Sequence, residues 1–254
     1  MQLIVLGVGS SAGTPVVGCD CATCLSTNPR NSRTRSSVAI ETGDGKTILI
    51  DTSPDLRAQA LRERLRRIDA VLYTHAHADH LNGIDDLRAF CQIQKMQIPI
   101  YGDAHTMDNI STRFGYALRE ASGNWDMPSL CAHVVEAAIE VCGETVMPIP
   151  VKHGRSTILG WRIRNFAYLT DVSEIPANSM AMLKGLDVLL LDCLRYAPHH
   201  THINVEQSIA LAGHIGARDT YFIHMTHEIE YATLSGRLSE GLHVGYDGIR
   251  VQLA

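Results

Sequence analysis

The chain has 254 residues, of which 45% are hydrophobic and 19% charged. This length and composition suffice for one large domain with a full core and argue against a disordered chain or a coiled coil. The formal charge of -5 argues against sequence-independent nucleic-acid binding, which usually requires a surplus of basic residues. No apolar run reaches the ~18 residues that span a bilayer, and no basic leader precedes the first apolar run. We therefore expect a cytoplasmic protein without a membrane span.

Short apolar, β-branched runs bounded by Gly, Asp or Thr predict buried strands along the whole chain. These runs are residues 3–6, 37–40, 47–50, 70–73, 98–101, 161–163, 167–169, 188–191, 220–223 and 248–251. Helical patterns fall between some of them, at residues 55–65, 84–94, 205–214 and 230–238. Because helices follow many of the strands and no linker or repeat divides the chain, we predict a single α/β domain over residues 1–254.

Residues 103–150 form the least regular part of the sequence. This segment contains Gly115, Gly123, Trp125 and Pro128, which interrupt any periodic pattern. It is interpreted either as an insertion that covers a substrate or as an ordinary helical excursion of the domain.

The densest group of chemically active side chains follows the predicted strand that ends at Tyr73. His75, His77, Asp79 and His80 lie within six residues and are separated by small alanines. Neutral imidazole and carboxylate are ligands for Zn, Mn or Fe. The two histidines of the His-x-His pair can converge on one ion, while Asp79 and His80 face a second. One ion does not comfortably take all four ligands, so the pattern favours two metal ions.

Three later residues also stand at the ends of strand-like runs. They are His153, Asp171 and His224. Ligands that come from several strand ends to one rim form a rigid site, and the loops beyond them remain free to select the substrate. We therefore expect these three residues to complete the metal site.

This set of residues resembles the metallo-β-lactamase superfamily over essentially the whole chain. The resemblance implies an αββα sandwich with a dinuclear site between its two sheets. It implies that His75, His77 and His153 bind one ion, that Asp79, His80 and His224 bind the other, and that Asp171 bridges the two ions. Asp51, at the end of another predicted strand, matches the acidic residue that supports the metal-binding loop in this superfamily.

Three cysteines and a histidine in the C-terminal part of the sequence restrict the resemblance to one branch of the superfamily. Cys19, Cys21 and Cys24 are too crowded for ordinary disulfides and point to metal binding in a reducing compartment. Together with the glycine-rich segment 7–15 and residues 224–227, they are similar to the branch of the phosphoribosyl 1,2-cyclic phosphate phosphodiesterases. That resemblance implies a structural zinc held by the three cysteines and His227, and Cys3His is an acceptable tetrahedral zinc set.

The predicted activity is hydrolysis of a small, cyclic or linear phosphodiester. Two Mn or Zn ions would generate a hydroxide at neutral pH and neutralise charge on the phosphoryl oxygens. By its distance from the following helix, His202 matches the late histidine of the branch, and we expect it to assist the leaving group together with Asp79 as the catalytic residues. His199 and His200 are adjacent candidates for the same role.

Three other interpretations remain open. A thioester hydrolase of the glyoxalase type or a lactamase is disfavoured by the three clustered cysteines. A tRNA 3′-processing endonuclease has the same seven ligands, but that family usually has a basic RNA-binding arm, and no Lys/Arg-rich insertion separates His80 from His153. A metal-binding accessory protein of quinone-cofactor biosynthesis has similar cysteines but an altered dinuclear site. All seven ligands are present here, which favours catalysis. The resemblance also suggests a homodimer.

Overall fold

The computed structural model describes residues 1–119, 123 and 125–253, and these residues form two seven-stranded sheets. The first sheet has the spatial order Arg250–Gln252 (β14), Gln2–Gly7 (β1), Ser37–Glu41 (β2), Thr47–Ile50 (β3), Ala70–Leu72 (β4), Ile98–Gly102 (β5) and Leu130–Val134 (β6). The second has the order Leu242–Val244 (β13), Asp219–Ile223 (β12), Val188–Asp192 (β11), Phe166–Leu169 (β10), Ser156–Ile163 (β9), Glu144–His153 (β8) and Ile139–Val141 (β7).

Helices cover the outer face of each sheet. Those on the first sheet are Leu56–Glu63 (α1), Ala78–Leu81 (α2), Leu87–Gln94 (α3) and Ala104–Phe114 (α4). Those on the second are Ala177–Ala181 (α5), Val205–Ile215 (α6) and Tyr231–Ser235 (α7). The contacts of α1 with β1, α4 with β5, α5 with β8, α6 with β11 and α7 with β13 complete an αββα sandwich in a single domain. The predicted fold class is confirmed.

The alternation of side chains along β1 shows how the layers are held together. Leu3 and Val5 are buried between the sheets in the same core as Trp161 of β9. Ile4 and Leu6 point to the other face and pack in the core that α1 and α3 form with the first sheet. Because side chains alternate across a strand, a strand that is apolar at every position has to be covered on both faces. The sandwich provides that cover.

Strand direction brings the ends of several strands to one edge. β3 and β4 are parallel in the first sheet, and β10, β11 and β12 are parallel in the second. β8 also runs parallel to β10, because both pair antiparallel with β9. In open α/β sheets the crevice at the carboxyl ends of parallel strands is the usual place for a ligand. The residues that follow these strands therefore meet at one rim.

The predicted helices at residues 55–65, 84–94, 205–214 and 230–238 correspond to α1, α3, α6 and α7. The sequence did not indicate β6, β7, β13 or the first half of β8. β8 contains Pro148 and Pro150, which argue against a strand. β7 and β8 are joined by Cys142 and Gly143, both with positive φ (54° and 78°), a tight hairpin without the usual Asn-Gly signal.

The segment 103–150 contains more regular structure than its sequence indicates. It comprises α4, a short 3-10 turn at Gly115–Leu118, β6, β7 and most of β8. Residues 120–122 and 124 lie outside the described residues. Its interpretation as a cover over the substrate stays a prediction. Among the residues that the structure describes, no helix is long and apolar enough to cross a membrane.

Gly83 tests how tightly the loop after β3 packs on the end of α2. A Cβ atom at this position would lie 1.9 Å from the carbonyl oxygen of Ser53, so backbone atoms would have to move. We expect Gly83→Ala to lower the free energy of unfolding by about 2 kcal/mol, the usual cost of overpacking. Gly115→Ala is the control, because its Cβ would meet no atom within 4 Å. Urea denaturation measures both, and equal stability of the two variants would contradict the packing argument.

Candidate metal centre

The structure gathers all seven residues of the predicted dinuclear site at the common rim of the two sheets. His75 and His77 lie in the loop after β4, and Asp79 and His80 lie in α2. The ligand atoms fall into two groups, in each of which they lie within 4.8 Å of one another. The first group is His75, His77, His153 and Asp171, and the second is Asp79, His80 and His224. The grouping is the one that the superfamily resemblance implies.

The carboxylate of Asp171 lies between the two groups. Its Oδ1 is 3.9 Å from Nε2 of His75, in the first group. Its Oδ2 is 3.1 Å from Nε2 of His80 and 3.4 Å from Nε2 of His224, both in the second. The Thr170 hydroxyl donates a hydrogen bond of 2.6 Å to Oδ2 and holds the carboxylate in this orientation. Asp171 thus presents one oxygen to each group.

Contacts on the far side of the imidazole rings determine which nitrogen faces the centre. His153 Nδ1 donates to the carbonyl oxygen of Thr201 at 3.0 Å, and His80 Nδ1 lies 2.7 Å from Oδ2 of Asp51. These contacts leave Nε2 of each ring directed inward, the arrangement that partners behind a metal ligand usually enforce. Nε2 of His75 and Nε2 of His80 are buried without a hydrogen-bond partner among the described residues. Buried nitrogens without a partner are costly, and a divalent metal ion would satisfy them.

The charges of the cluster also suit a divalent cation. Burial opposes ionisation of Asp171, but His224 and His80 hold the pKa of its carboxyl well below the usual range. Burial, assisted by His80, lowers the pKa of His75 well below its ordinary value, so this imidazole is neutral at pH 7. At His224, the nearby carboxylates of Asp171 and Asp79 outweigh the effect of burial and raise the pKa of the imidazole to about 9. The ionised carboxylates and the neutral imidazole of His75 are suited to bind a metal ion, and binding of that ion would displace the proton from His224.

Three residues of the rim adopt left-handed backbone conformations. Asp51 follows β3 with φ 62°, Asp171 follows β10 with φ 58°, and His224 follows β12 with φ 58°. Such conformations are uncommon outside glycine, and they cluster where function requires a particular side-chain direction. Each turn redirects the chain directly after a strand and aims the side chain into the space between the sheets.

Asp51 supports the loop from behind and is itself fully buried. Besides His80, its carboxylate accepts hydrogen bonds from the backbone N–H and the hydroxyl of Thr74, at 2.8 and 2.9 Å. Burial raises the pKa of Asp51, while the adjacent His80 acts in the opposite direction. Asp51 thus fixes the start of the His75 loop and the ring of His80 at the same time, in agreement with its predicted supporting position.

Asp192 was not singled out from the sequence. It ends β11, is fully buried, and places Oδ2 3.2 Å from Nδ1 of His202 and Oδ1 3.5 Å from Nδ1 of His224. The sequence did contain a signal for Asp192, namely its position, because Asp51 and Asp171 are also aspartates that follow an apolar strand run. An acidic residue directly after the 188–191 run would have been a candidate by the same reasoning.

His202 is the member of the 199–202 histidine group that touches the cluster. Its ring centroid lies 4.8 Å from that of His153 and 4.9 Å from that of His224. Its Nε2 is 3.8 Å from Oδ1 of Asp171. His199 lies farther out, with its ring 5.3 Å from that of His202, and it packs against His200 with the two ring planes inclined by 33°. The structure therefore brings His202, of the three histidines, to the metal-binding groups.

The four residues of the predicted zinc site also lie close together. Nδ1 of His227 lies 3.3 Å from the sulfur of Cys19 and 3.4 Å from the sulfurs of Cys21 and Cys24. A tetrahedral zinc with Zn–S of about 2.3 Å and Zn–N of about 2.0 Å places nitrogen and sulfur about 3.5 Å apart. The backbone N–H of Cys24, helped by His227, lowers the pKa of Cys21 to about 6, which favours the thiolate. All three thiols are free, and the site fits zinc.

Two cavities flank the exposed His77 at the rim. One, of about 140 Å³, is lined by residues that include His105 and Asn109 of α4. The other, of about 670 Å³, is lined by residues that include Arg155, His200 and Thr201. A separate groove of about 410 Å³ between α1 and α3 contains none of the predicted site residues. The rim is therefore open on two sides of His77.

Comparison with known proteins places the chain in a family. The profile of the Beta-lactamase superfamily domain matches residues 46–225. The matched part is well over half of the chain, so the protein belongs to the beta-lactamase superfamily. With the His and Asp side chains that it gathers at the rim, it is a metal-dependent hydrolase of that superfamily.

Individual proteins show which members of the superfamily this chain is similar to. A solved structure described as a new diphosphatase from the PhnP family is 41% identical and superposes with a TM-score of 0.93 over 100% of this chain and 98% of that chain. The octanoyltransferase of Porphyromonas gingivalis (strain ATCC BAA-308 / W83) is 38% identical over 255 residues, which cover 98% of this chain and 51% of that protein. The chain thus spans about half the length of the octanoyltransferase.

Two further solved structures are similar in fold alone. Zn(2+)-bound PqqB from Methylobacterium extorquens is 22% identical with a TM-score of 0.81, over 100% of both chains. The short form of human tRNase Z is 17% identical with a TM-score of 0.73, also over 100% of both chains. These two structures belong to the classes of protein named in two of the rival interpretations of the sequence.

Removal of the Asp51 carboxylate tests its supporting role. Asp51→Ala leaves the Thr74 N–H and the His80 imidazole without their buried partner, and we expect it to lower the free energy of unfolding by about 3 kcal/mol. The control is Asp44→Ala, which removes a half-exposed carboxylate paired with Lys46 and should cost at most about 1 kcal/mol. Urea denaturation in the presence of a chelator excludes any contribution from metal. Equal losses in the two variants would show that Asp51 does not support the loop.

Proposed function

We propose that the protein is a dinuclear metal-dependent phosphodiesterase that hydrolyses a small phosphodiester, cyclic or linear. The observation that carries the proposal is the position of Asp171, with Oδ1 toward the His75 group and Oδ2 toward the His80 and His224 group. A carboxylate shared in this way is suited to bridge two ions. Two-metal sites are typical of enzymes that cleave phosphate esters.

The roles of the ligands follow from the two groups. His75, His77 and His153 would hold one Mn or Zn ion, Asp79, His80 and His224 would hold the other, and Asp171 would be shared between them. Ions held there would supply a water nucleophile at neutral pH and positive charge for the phosphoryl oxygens. The carboxylate of Asp79 also places negative charge beside His224, because Oδ2 of Asp79 lies 3.4 Å from Nε2 of His224.

His202 is suited to deliver a proton to the leaving group. Its Nδ1 lies 3.2 Å from Oδ2 of Asp192, so this nitrogen carries the hydrogen and Nε2 faces the cluster. The buried carboxylate orients the imidazole, as an acidic partner does for other catalytic histidines. Nε2 of His202 would then donate its proton to the departing alkoxide oxygen, and Asp192 would hold the ring in position throughout the reaction.

We propose that Cys19, Cys21, Cys24 and His227 hold a structural zinc. His227 is three residues from His224, so a metal at this site anchors the loop that carries a ligand of the dinuclear centre. A closed set of four protein ligands leaves no position for substrate, which is typical of zinc that stabilises a fold. The three thiols also fit a reducing, cytoplasmic compartment.

The relatives support an enzyme that acts on phosphate groups. The 41% identical structure is a diphosphatase of the PhnP family, so the phosphoric anhydride of a diphosphate is a second candidate for the bond that is cleaved. The name octanoyltransferase belongs to a protein about twice as long, and the half that this chain does not match can account for that activity.

The rival functions are supported less well. In the part of the chain that the structure describes between α2 and β8, the segments are helices α3 and α4 and strands β5–β7, without the basic protruding arm expected of a tRNA-processing enzyme. An accessory protein of the PqqB type would not need a complete ligand set. A homodimer is expected from the resemblance. Activity of the metal-loaded protein against cyclic and linear phosphodiesters, diphosphate diesters, thioesters and a tRNA precursor tests all of these functions.

Substitution of single ligands tests the dinuclear centre. His77 is exposed and Asp171 is buried, so His77→Ala and Asp171→Asn perturb the fold to different degrees but should have the same catalytic effect. We expect each to lower kcat/KM for bis(4-nitrophenyl) phosphate at least about a thousandfold, because the charge stabilisation by the ions is worth several kcal/mol. His214→Ala, at an exposed position on α6, is the control. Near-normal turnover in either ligand variant would refute the two-ion assignment.

The zinc proposal has its own test. Cys21→Ser should remove one zinc per chain and lower the melting temperature by about 10 °C, the shift expected when roughly 3 kcal/mol of metal-linked stability is lost. Cys131→Ser, which changes a thiol in β6 away from the cluster, should leave the zinc content unchanged. Metal analysis by mass spectrometry and thermal unfolding give the two readouts. A Cys21→Ser protein with unaltered zinc and unaltered melting would exclude a structural zinc at this site.

A further inference from the structure

A groove on the outer face of the first sheet combines an apolar floor with a basic border. It lies between α1 and α3, has a volume of about 410 Å³ and contains none of the residues of the metal centre. Leu56, Ala60 and Phe90 are buried at its floor, whereas Leu61 and Ile93 are 63% and 70% exposed. The lining is completed by Arg57, Leu65, Arg66, Asp86, Arg88 and Ala89. Exposed apolar surface with a polar border is typical of a site that another molecule covers.

Arginines stand at both ends of this α1–α3 groove. Residues 57–67 contain five arginines. α1 connects β3 to β4, α3 lies in the connection from β4 to β5, and both pairs of strands are parallel. The two helices therefore run back along the sheet in the same direction. Arg57 and Arg88, near the start of their helices, lie at one end of the groove, and Arg66, beyond the last residue of α1, lies at the other.

Most of this positive charge is not neutralised within the protein. Arg66 is exposed and forms no ion pair or hydrogen bond with any of the described residues. Arg88 lies 3.4 Å from Asp85, but both side chains are about half exposed, so the pair is weak. Among the described residues that line the groove, Asp86 is the only acidic one, and Arg57 and Arg88 offset its charge. The groove is therefore locally basic, although the chain carries a formal charge of -5.

We propose that the α1–α3 groove binds an acidic amphipathic helix of a partner protein. α1 and α3 each have eight residues and are therefore about 12 Å long. A partner helix with apolar side chains at positions i, i+4 and i+7 spreads them over about 10 Å, so they would lie along this groove against Leu61 and Ile93. Acidic residues on both sides of that apolar stretch would face the arginines at the two ends. Binding at this surface does not require the proposed catalytic activity.

Two other occupants match the charges less well. A second copy of the chain, related by a two-fold axis, would present the same patch, so arginines would face arginines. A small amphiphile such as a fatty acid has one anionic head, and its apolar tail would lie beside the arginine at the opposite end. A helix can carry acidic residues at both ends, as the positions of Arg66 and Arg88 require.

Two synthetic peptides test this inference on the metal-loaded protein. Each has about 18 residues, long enough for an alanine-based helix, with leucines at i, i+4 and i+7. One peptide carries glutamates on both sides of the leucines, and the other carries lysines at the same positions. By fluorescence anisotropy, the glutamate peptide should bind at least about tenfold more tightly, as expected for two exposed ion pairs. Similar affinities of the two peptides, or no binding of the glutamate peptide, would overturn the inference.

A charge placed in the apolar part of the groove should weaken binding. Ile93→Asp should lower the affinity for the glutamate peptide at least about tenfold, because an apolar contact is lost. Val134→Asp is the matched control, since it replaces another exposed apolar side chain, on β6 and outside the groove, and should bind like the wild type. Circular dichroism and thermal unfolding establish that both variants are folded. Equal affinities of the two variants would contradict binding in the groove.

Charge reversal distinguishes the groove from general attraction between charges. Arg66→Glu combined with Arg88→Glu should reverse the preference, so that the lysine peptide binds more tightly than the glutamate peptide. Lys184→Glu combined with Arg237→Glu makes the same change in net charge at exposed positions beside the second sheet, and should keep the preference for the glutamate peptide. The same behaviour of the two double variants would show that the peptides sense only net charge, and the inference would fail.

Sedimentation and decanoate binding identify the other occupants. Concentration-dependent dimerisation of the wild type that Ile93→Asp abolishes would assign the groove to a second copy of the chain. Decanoate binding that Ile93→Asp weakens, without binding of the glutamate peptide, would assign it to a small amphiphile. Either result would overturn the inference, and neither depends on whether the metal-loaded protein hydrolyses a phosphodiester.

Discussion

The burial of one carboxylate between two groups of imidazoles is the interaction on which this structure depends. Asp171 is 2% exposed and ionised, a state that is costly unless cationic or hydrogen-bonding partners surround it. His80, His224 and the hydroxyl of Thr170 provide those partners. The position of Asp171 in turn requires that β10 end at the same edge as β4, β8 and β12. The arrangement of the strands in the two sheets therefore determines the geometry of the site.

Supporting groups hold the cluster in shape from outside. Asp51 acts on His80 in the first sheet, and Asp192 acts on His202 and His224 in the second. Each is a fully buried aspartate at the end of a strand, so each sheet supplies a carboxyl group behind the histidines that it positions. Since a metal ligand binds best when its other nitrogen is already held, these aspartates would prepare His80 and His224 for the proposed ions.

The cysteine cluster and the buried Arg33 fix the loop after β12. The guanidinium of Arg33 donates to the carbonyl oxygens of Thr226 and Ile229, on either side of His227 in the sequence. The backbone N–H of Met225 donates to the carbonyl oxygen of Val8, next to the glycine-rich segment. Gly9 permits this close packing, because a Cβ there would lie 2.8 Å from the carbonyl oxygen of Arg33. A structural zinc would add a further link to the same loop.

The sequence alone predicted the fold class and, through the family resemblance, the seven residues proposed for the dinuclear centre and the four proposed for the zinc site, because most of these residues stand in a dense motif or directly after a strand-like run. The tertiary structure decided what depends on distant contacts. Selection of His202 over its neighbours and the position of Asp192 behind it both require knowing which strand ends meet. The first half of β8 escaped prediction for the same reason, since Pro148 argues locally against a strand that long-range pairing with β9 nevertheless stabilises.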